Sequence, residues 1–152
     1  MTTPATTIDN IDFGLLYRQH LRQAERTRKD ASAWDSRAAG MANKALRSRY
    51  ADDFVARMAL AGATSLLDVG CGPGTIGLAV AGQLQRVIGL DYSAAMLKVM
   101  SAKAAEQGLA NVETLHLAWE DDWTDVPVCD IVVASRSTTV EDMAAALTKM
   151  NA

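Results

Sequence analysis

The residues whose types and spacing could do chemistry are Asp68, Gly70, Gly72, Gly74 and Asp91. Three glycines alternate directly after the apolar run "SLLDV", and lacking Cβ atoms they permit positive φ and let a ligand lie against the main chain. Asp91 closes the next apolar run, "RVIGLD". A carboxylate accepts two hydrogen bonds at once, which at that place suits the paired hydroxyls of a ribose. Gly72, Gly74 and Gly77 also spell GxGxxG, with Asp91 at about the twenty-residue offset of a dinucleotide fingerprint. Taken alone, that pattern suggests NAD. A tight strand-to-helix turn would explain one or two of the glycines but not Asp68 and Asp91 together.

For these side chains to converge, strands must carry them to one edge of a sheet. The segments "SLLDV", "RVIGLD", "VETLHL" and "CDIVVAS" are short, apolar and partly β-branched, and helix-like stretches, Thr75–Gln83, Ser93–Gln107 and Val140–Met150, separate or follow them. This alternation predicts βαβ crossovers and a parallel sheet covered on both faces, a doubly wound α/β fold. In such a sheet ligands sit beyond the carboxyl ends of the strands, where Ser135, Arg136 and Ser137 also fall. Ser93 is a natural N-cap, Met96, Met100 and Ala104 lie one turn apart, and Gly108 stands just past the end of that helix.

Upstream, Asp12 is positioned to cap a helix on which Phe13, Leu16, Tyr17, His20, Leu21 and Ala24 form one apolar stripe. His20 within that stripe reads as a core histidine in preference to a general base, and His116 near the end of the third strand reads the same way. A second helix is expected from Tyr50, with Phe54 and Met58 on the same face and Gly62 placed to end it. The stretch between, 31–49, reads as loop with some helix. Residues 1–62 are thus expected to form a helical cover, and 63–152 the ligand-binding core.

An apolar content of 49% against 22% charged residues is a globular composition for one domain. The apolar runs are far too short to cross a bilayer and the first residues lack a basic-then-apolar signal, so a soluble, cytoplasmic protein is expected. Cys71 and Cys129 have no metal-ligand company and read as reduced thiols; no metal is expected. A net charge of −3 argues against nucleic acid as a partner, and the basic run Arg18, Arg22, Arg26, Arg28, Lys29 is diluted by Glu25 and Asp30.

"LLDVGCGPGTIGL" followed by "VIGLDYSAAML" resembles motif I and the following acidic motif of class I S-adenosylmethionine-dependent methyltransferases. The resemblance spans Trp34 to Ala152 and is specific over Leu66–Leu78 and Ile88–Leu97. It implies a Rossmann-like sheet with S-adenosylmethionine as cofactor and S-adenosylhomocysteine as product. It also implies that Asp68, Gly70, Cys71, Gly72 and Gly74 lie along the methionine part, that Asp91 holds the ribose hydroxyls, and that Tyr92 and Met96 flank the adenine. Where the family places an acid near the adenine amino group, this chain has "LAWEDDW". Trp119 and Glu120 are the candidates there, by stacking and by accepting a hydrogen bond; alternatively Trp119 and Trp123 seal the sheet edge and the acids are solvated.

Ser135 ends the fourth strand on the cofactor side. The Asn/Asp-Pro-Pro-aromatic element of similar nucleic-acid amino methyltransferases does not follow it, so the resemblance favours a small-molecule acceptor. Arg136 could bind a carboxylate or phosphate on that acceptor, or cap neighbouring carbonyls. "AWDSRA" is similar to the aromatic segment that touches the cofactor in many small-molecule methyltransferases, making Trp34 and Arg37, with Tyr17, His20 and Arg136, candidates for a cover over cofactor and substrate. Methyl transfer by in-line attack needs chiefly positioning, and no catalytic base is assigned. The readings from other classes are a nicotinamide oxidoreductase and a non-catalytic cofactor-binding module. Four strands are countable where the family's sheet has seven, so truncation or an omitted tail is expected. "DIVVA" would then be an exposed edge open to pairing with a second copy.

Overall fold

The computed structural model describes residues 8–24, 30–45 and 49–152. Four strands, β1 (Ser65–Val69), β2 (Arg86–Asp91), β3 (Val112–His116) and β4 (Ile131–Val133), form one sheet in the order β3-β2-β1-β4. All pairings are parallel, and the register sets Asp68 between Gly89 of β2 and Val133 of β4. Placing β1 and β2 at the centre explains their composition. They are covered on both faces, so from Leu66 to Val69 and from Val87 to Asp91 every residue is buried.

Seven helices surround the sheet among the described residues: α1 (Phe13–Gln23), α2 (Ala31–Asp35), α3 (Ala38–Ala45), α4 (Tyr50–Val55), α5 (Gly77–Val80), α6 (Ala94–Glu106) and α7 (Met143–Met150). One face of the sheet, with Leu66 and Val87, packs against Leu97, Met100 and Ala104 of α6 and Leu78 and Val80 of α5. Each such buried aliphatic side chain contributes roughly 1.5–3 kcal/mol. Leu67, Val69, Ile88 and Leu90 point to the other face, against Leu115, Trp119, Trp123 and Val126. That second face is therefore closed in part by two indoles from the segment between β3 and β4.

Ser93 caps α6 as expected, its hydroxyl accepting the Met96 N–H at 3.3 Å, and Gly108 takes φ 68 beyond the helix end. Several other elements differ from expectation. The helix expected over Thr75–Gln83 is a single turn, α5, followed by a 3-10 turn at Ala81–Gln83. The chain from Gly72 to Ile76 is consumed in turning, which leaves one helical turn before β2. The described residues of segment 31–49 hold two helices, α2 and α3, the first capped by Asp30 accepting the Ala33 N–H at 2.9 Å. Helix α4 stops at Val55, and Gly62, at φ 81, makes a later turn leading toward β1. Helix α7 starts at Met143, where Asp142 accepts the Ala145 N–H at 2.9 Å.

The largest difference lies in α1. Asp12 caps it, accepting the Leu15 N–H at 2.8 Å, but the helix buries none of its residues. Phe13 is 61% exposed, Leu16 52%, and His20 is exposed and is not a core histidine. A stripe read from spacing reports that a helix is amphipathic, not that the described molecule supplies a surface to cover it. His116 is likewise exposed.

Candidate functional site

The turn after β1 is built to leave space beside the main chain. Gly70, Gly72 and Gly74 adopt φ 67, 54 and 85, the left-handed region where a side chain costs roughly 1–2 kcal/mol. The N–H groups of Gly70 and Cys71 both donate to Leu90 O, at 2.7 and 3.1 Å, so the turn is tied to the end of β2. The three glycines have different surroundings. A Cβ on Gly70 would stand 2.3 Å from Ser137 Cβ, and one on Gly74 2.7 Å from Met100 Cγ, whereas at Gly72 nothing lies within 4 Å. Protein fills the space at the outer two; at Gly72 it is open to a ligand.

Asp91 reaches that position from β2. Its Oδ2 accepts the Gly72 N–H at 2.8 Å and its Oδ1 accepts the Ser93 N–H at 2.8 Å. A carboxylate has about four lone-pair sites, so these backbone amides leave acceptor capacity for a further donor. Burial pushes the Asp91 carboxyl above the usual carboxylate range, opposed by the Ser93 and Gly72 amides. Asp68 is buried beneath the turn with Oδ2 accepting the Gly77 N–H at 3.0 Å. Burial drives its pKa up to about 7 against that hydrogen bond, with the Asp91 charge adding to the rise. Desolvation, with the nearby Asp68 and Asp91 charges adding to it, holds the buried Cys71 thiol far above its ordinary range and makes it a poor nucleophile.

Asp35, between the expected cover residues Trp34 and Arg37, makes the direct link to this site. Ser93 Oγ donates to Asp35 Oδ1 at 2.5 Å, and the Ala95 N–H donates to the same oxygen at 3.2 Å. These bonds hold the Asp35 carboxyl below the usual range. An acid flanked by an aromatic and an arginine was the available signal, but its partners lie far along the chain. Trp34 is half-buried with the Arg37 guanidinium 5.9 Å from its ring. Tyr17 is half-buried on α1.

Tyr92 is half-buried, its carbonyl 3.0 Å from His116 Nε2, and Met96 is buried in the first turn of α6. Trp119 stacks on Trp123 with ring centroids 5.2 Å apart, and its Nε1 donates to Ser137 O at 2.9 Å. That is the sheet-sealing arrangement, with one indole face already covered by protein. Glu120 is exposed.

After β4, the Ser135 hydroxyl hydrogen-bonds the Tyr50 hydroxyl, and the Arg136 guanidinium lies 4.0 Å from the centroid of the same ring. Arg136 has φ 59, the one positive φ outside glycine among the described residues. Ser137 Oγ donates to Val69 O at 2.7 Å, which closes this segment over Gly70. Tyr50 was legible only as an apolar helix residue, because its hydroxyl partner is distant in sequence. A depression of about 670 Å³ lined by Arg86, Asn111 and Glu113 lies at the opposite, amino ends of β2 and β3, away from these groups.

The model of a family described as "Methyltransferase domain" matches residues 66–152, more than half of the chain. The chain belongs to the class I S-adenosylmethionine-dependent methyltransferases. Family membership displaces the nicotinamide reading of Gly72, Gly74 and Gly77. An uncharacterized protein of Haemophilus influenzae is 38% identical over 139 residues, covering 90% of this chain and 52% of the relative. A demethylmenaquinone methyltransferase of Lactiplantibacillus plantarum is 32% identical over 105 residues, 63% of this chain and 43% of that protein. The chain thus spans about half the length of the curated relatives it matches.

Among solved structures, a Haloferax volcanii methyltransferase in complex with the Trm112 activator aligns at TM-score 0.64 and 22% identity, covering 82% of this chain and 55% of that one. A Methanococcus maripaludis protein described as a S-adenosyl-L-methionine-dependent methyltransferase aligns at 0.57 and 21%, covering 84% and 60%. At these identities the likeness is one of fold, the family's Rossmann-like sheet. No helix among the described residues is long and apolar enough to cross a membrane.

Proposed function

We propose that this chain binds S-adenosylmethionine at the turn after β1 and presents its methyl group to a small-molecule acceptor. The observation that carries this reading is the Asp91 carboxylate, bonded to the Gly72 and Ser93 amides beside the one glycine of the turn whose Cβ space is empty. The residues present fit an adenosyl amino acid. Gly72 leaves room for close approach to the main chain, and the remaining acceptor capacity of Asp91 suits ribose hydroxyls.

When bound, S-adenosylmethionine would supply a methyl group activated for in-line attack by the acceptor's lone pair. The protein's part is positioning, worth up to about 7–11 kcal/mol of barrier. Asp91 orients the ribose, the turn holds the methionine portion, and Asp68 braces the turn through Gly77 from below. Tyr92 and the first turn of α6 at Met96 would border the adenine end. The segment Ser135–Ser137, held by Tyr50, Val69 and Trp119, borders the acceptor. A small-molecule acceptor is supported by the relative named for demethylmenaquinone, an organic molecule of that class.

Thermal denaturation with ligands tests the reading, because a ligand that binds only the native state raises the melting temperature by mass action. S-adenosylhomocysteine is expected to raise it and NAD to leave it unchanged. The converse pattern would refute the proposal. Binding without turnover across a broad acceptor panel would mark the chain as a binding module.

A further inference from the structure

We infer that Arg136 recognises the methyl acceptor and that the acceptor carries a carboxylate; this deepens the methyl-donor reading and rests on it. Four observations converge. Arg136 holds a left-handed backbone at φ 59, a conformation strained for a non-glycine residue that persists where its neighbours impose it. Those neighbours are pinned: Ser135 to the Tyr50 hydroxyl, and Ser137 to Val69 O and the Trp119 indole. The strain thus aims one particular side chain at the carboxyl end of β4, next to the turn that carries Gly70 and Gly72.

The guanidinium is preorganised. Its Cζ lies 4.0 Å over the Tyr50 ring centroid, a cation–π contact that fixes the head group without consuming a carboxylate partner. Among the described residues the ion pairs join Arg22 to Glu141 and Arg86 to Glu113, and no carboxylate pairs with Arg136. An exposed, oriented fork of donors beside a donor-cofactor site matches a planar carboxylate in two parallel hydrogen bonds. A phosphate fits less well, since the next helix N-terminus, α7, is already capped by the Asp142 carboxylate.

The test is ligand-observed NMR titration of the chain with benzoate, benzamide and inorganic phosphate, with and without S-adenosylhomocysteine. Benzoate is expected to bind about tenfold more tightly than either alternative. Arg136→Gln should erase that preference and Arg136→Lys should keep part of it. Arg136→Asn, a residue that tolerates left-handed backbone, provides a second neutral variant, and circular dichroism melting confirms that each is folded. Equal affinity for benzoate and benzamide, tighter binding of phosphate, or a benzoate preference that survives in both neutral variants would overturn the inference. Failure of wild type to bind S-adenosylhomocysteine would instead count against the methyl-donor reading, and the benzoate comparison without it reads Arg136 independently.

Discussion

The Asp91 carboxylate accepts the main-chain N–H of Gly72 at 2.8 Å, so the acid at the end of β2 holds open the turn at the end of β1. One side chain therefore shapes the turn, and in the proposed reading the same carboxylate holds the ribose. Replacing Asp91 with Ala removes both functions. The S-adenosylhomocysteine thermal shift is expected to vanish and the affinity to fall at least tenfold, measured by calorimetry. An affinity within twofold of wild type would refute the ribose role.

Gly70 and Gly72 share left-handed φ but should respond differently to Ala. At Gly70 the new Cβ would meet Ser137 Cβ at 2.3 Å, a contact that must shift the segment after β4. Gly70→Ala should lower the melting temperature sharply. Gly72→Ala has open space and should cost only the roughly 1–2 kcal/mol of backbone strain, yet lose ligand binding, because its methyl occupies the room left for the ligand. Comparing ligand-free melting with S-adenosylhomocysteine affinity in the two variants separates these effects.

Asp68 gives a pH signature. Its folded pKa of about 7 stands above the ordinary aspartate value of 3.8, so the folded state binds the proton more tightly than the unfolded state. Its contribution to stability is fully present below about pH 4 and is lost as pH rises to about 7, levelling off above. Asp68→Asn, neutral throughout and still able to accept from Gly77, should lack this decline. Denaturant melts at intervals from pH 4 to 8 check it, and parallel curves for the two proteins would contradict the buried, proton-holding role.

Asp35 ties α2 to the first turn of α6 through Ser93 Oγ and the Ala95 N–H. Asp35→Ala is expected to speed hydrogen exchange at Ala95 and in α2 while leaving β1 and β2 protected. It should weaken S-adenosylhomocysteine binding less than Asp91→Ala does, because it touches the site only through Ser93. Unchanged exchange at Ala95 would show that the anchor contributes nothing in solution.

Much of the fold was legible because its causes are local. Short apolar runs that suit buried parallel strands marked β1 to β4, and Ser93 and Gly108 marked the ends of α6 through cap chemistry that acts within a few residues. Helix lengths were less legible: α5 shrank to one turn because residues 72–76 had to turn the chain first. The stripe on α1 was real as a pattern, but the described surface covers it only in part and buries none of its residues fully.

The sequence by itself determined that the turn after β1 could take left-handed backbone and which acids lie at the carboxyl ends of β1 and β2, since glycine sterics and strand period depend on neighbours in the chain. Only the tertiary structure decided what each position faces. Ser137 fills the space at Gly70, nothing fills it at Gly72, Asp35 reaches Ser93, and Arg136 lies over Tyr50. These relations join residues far apart in sequence, and they exist only once the sheet has brought the ends of β1, β2 and β4 together.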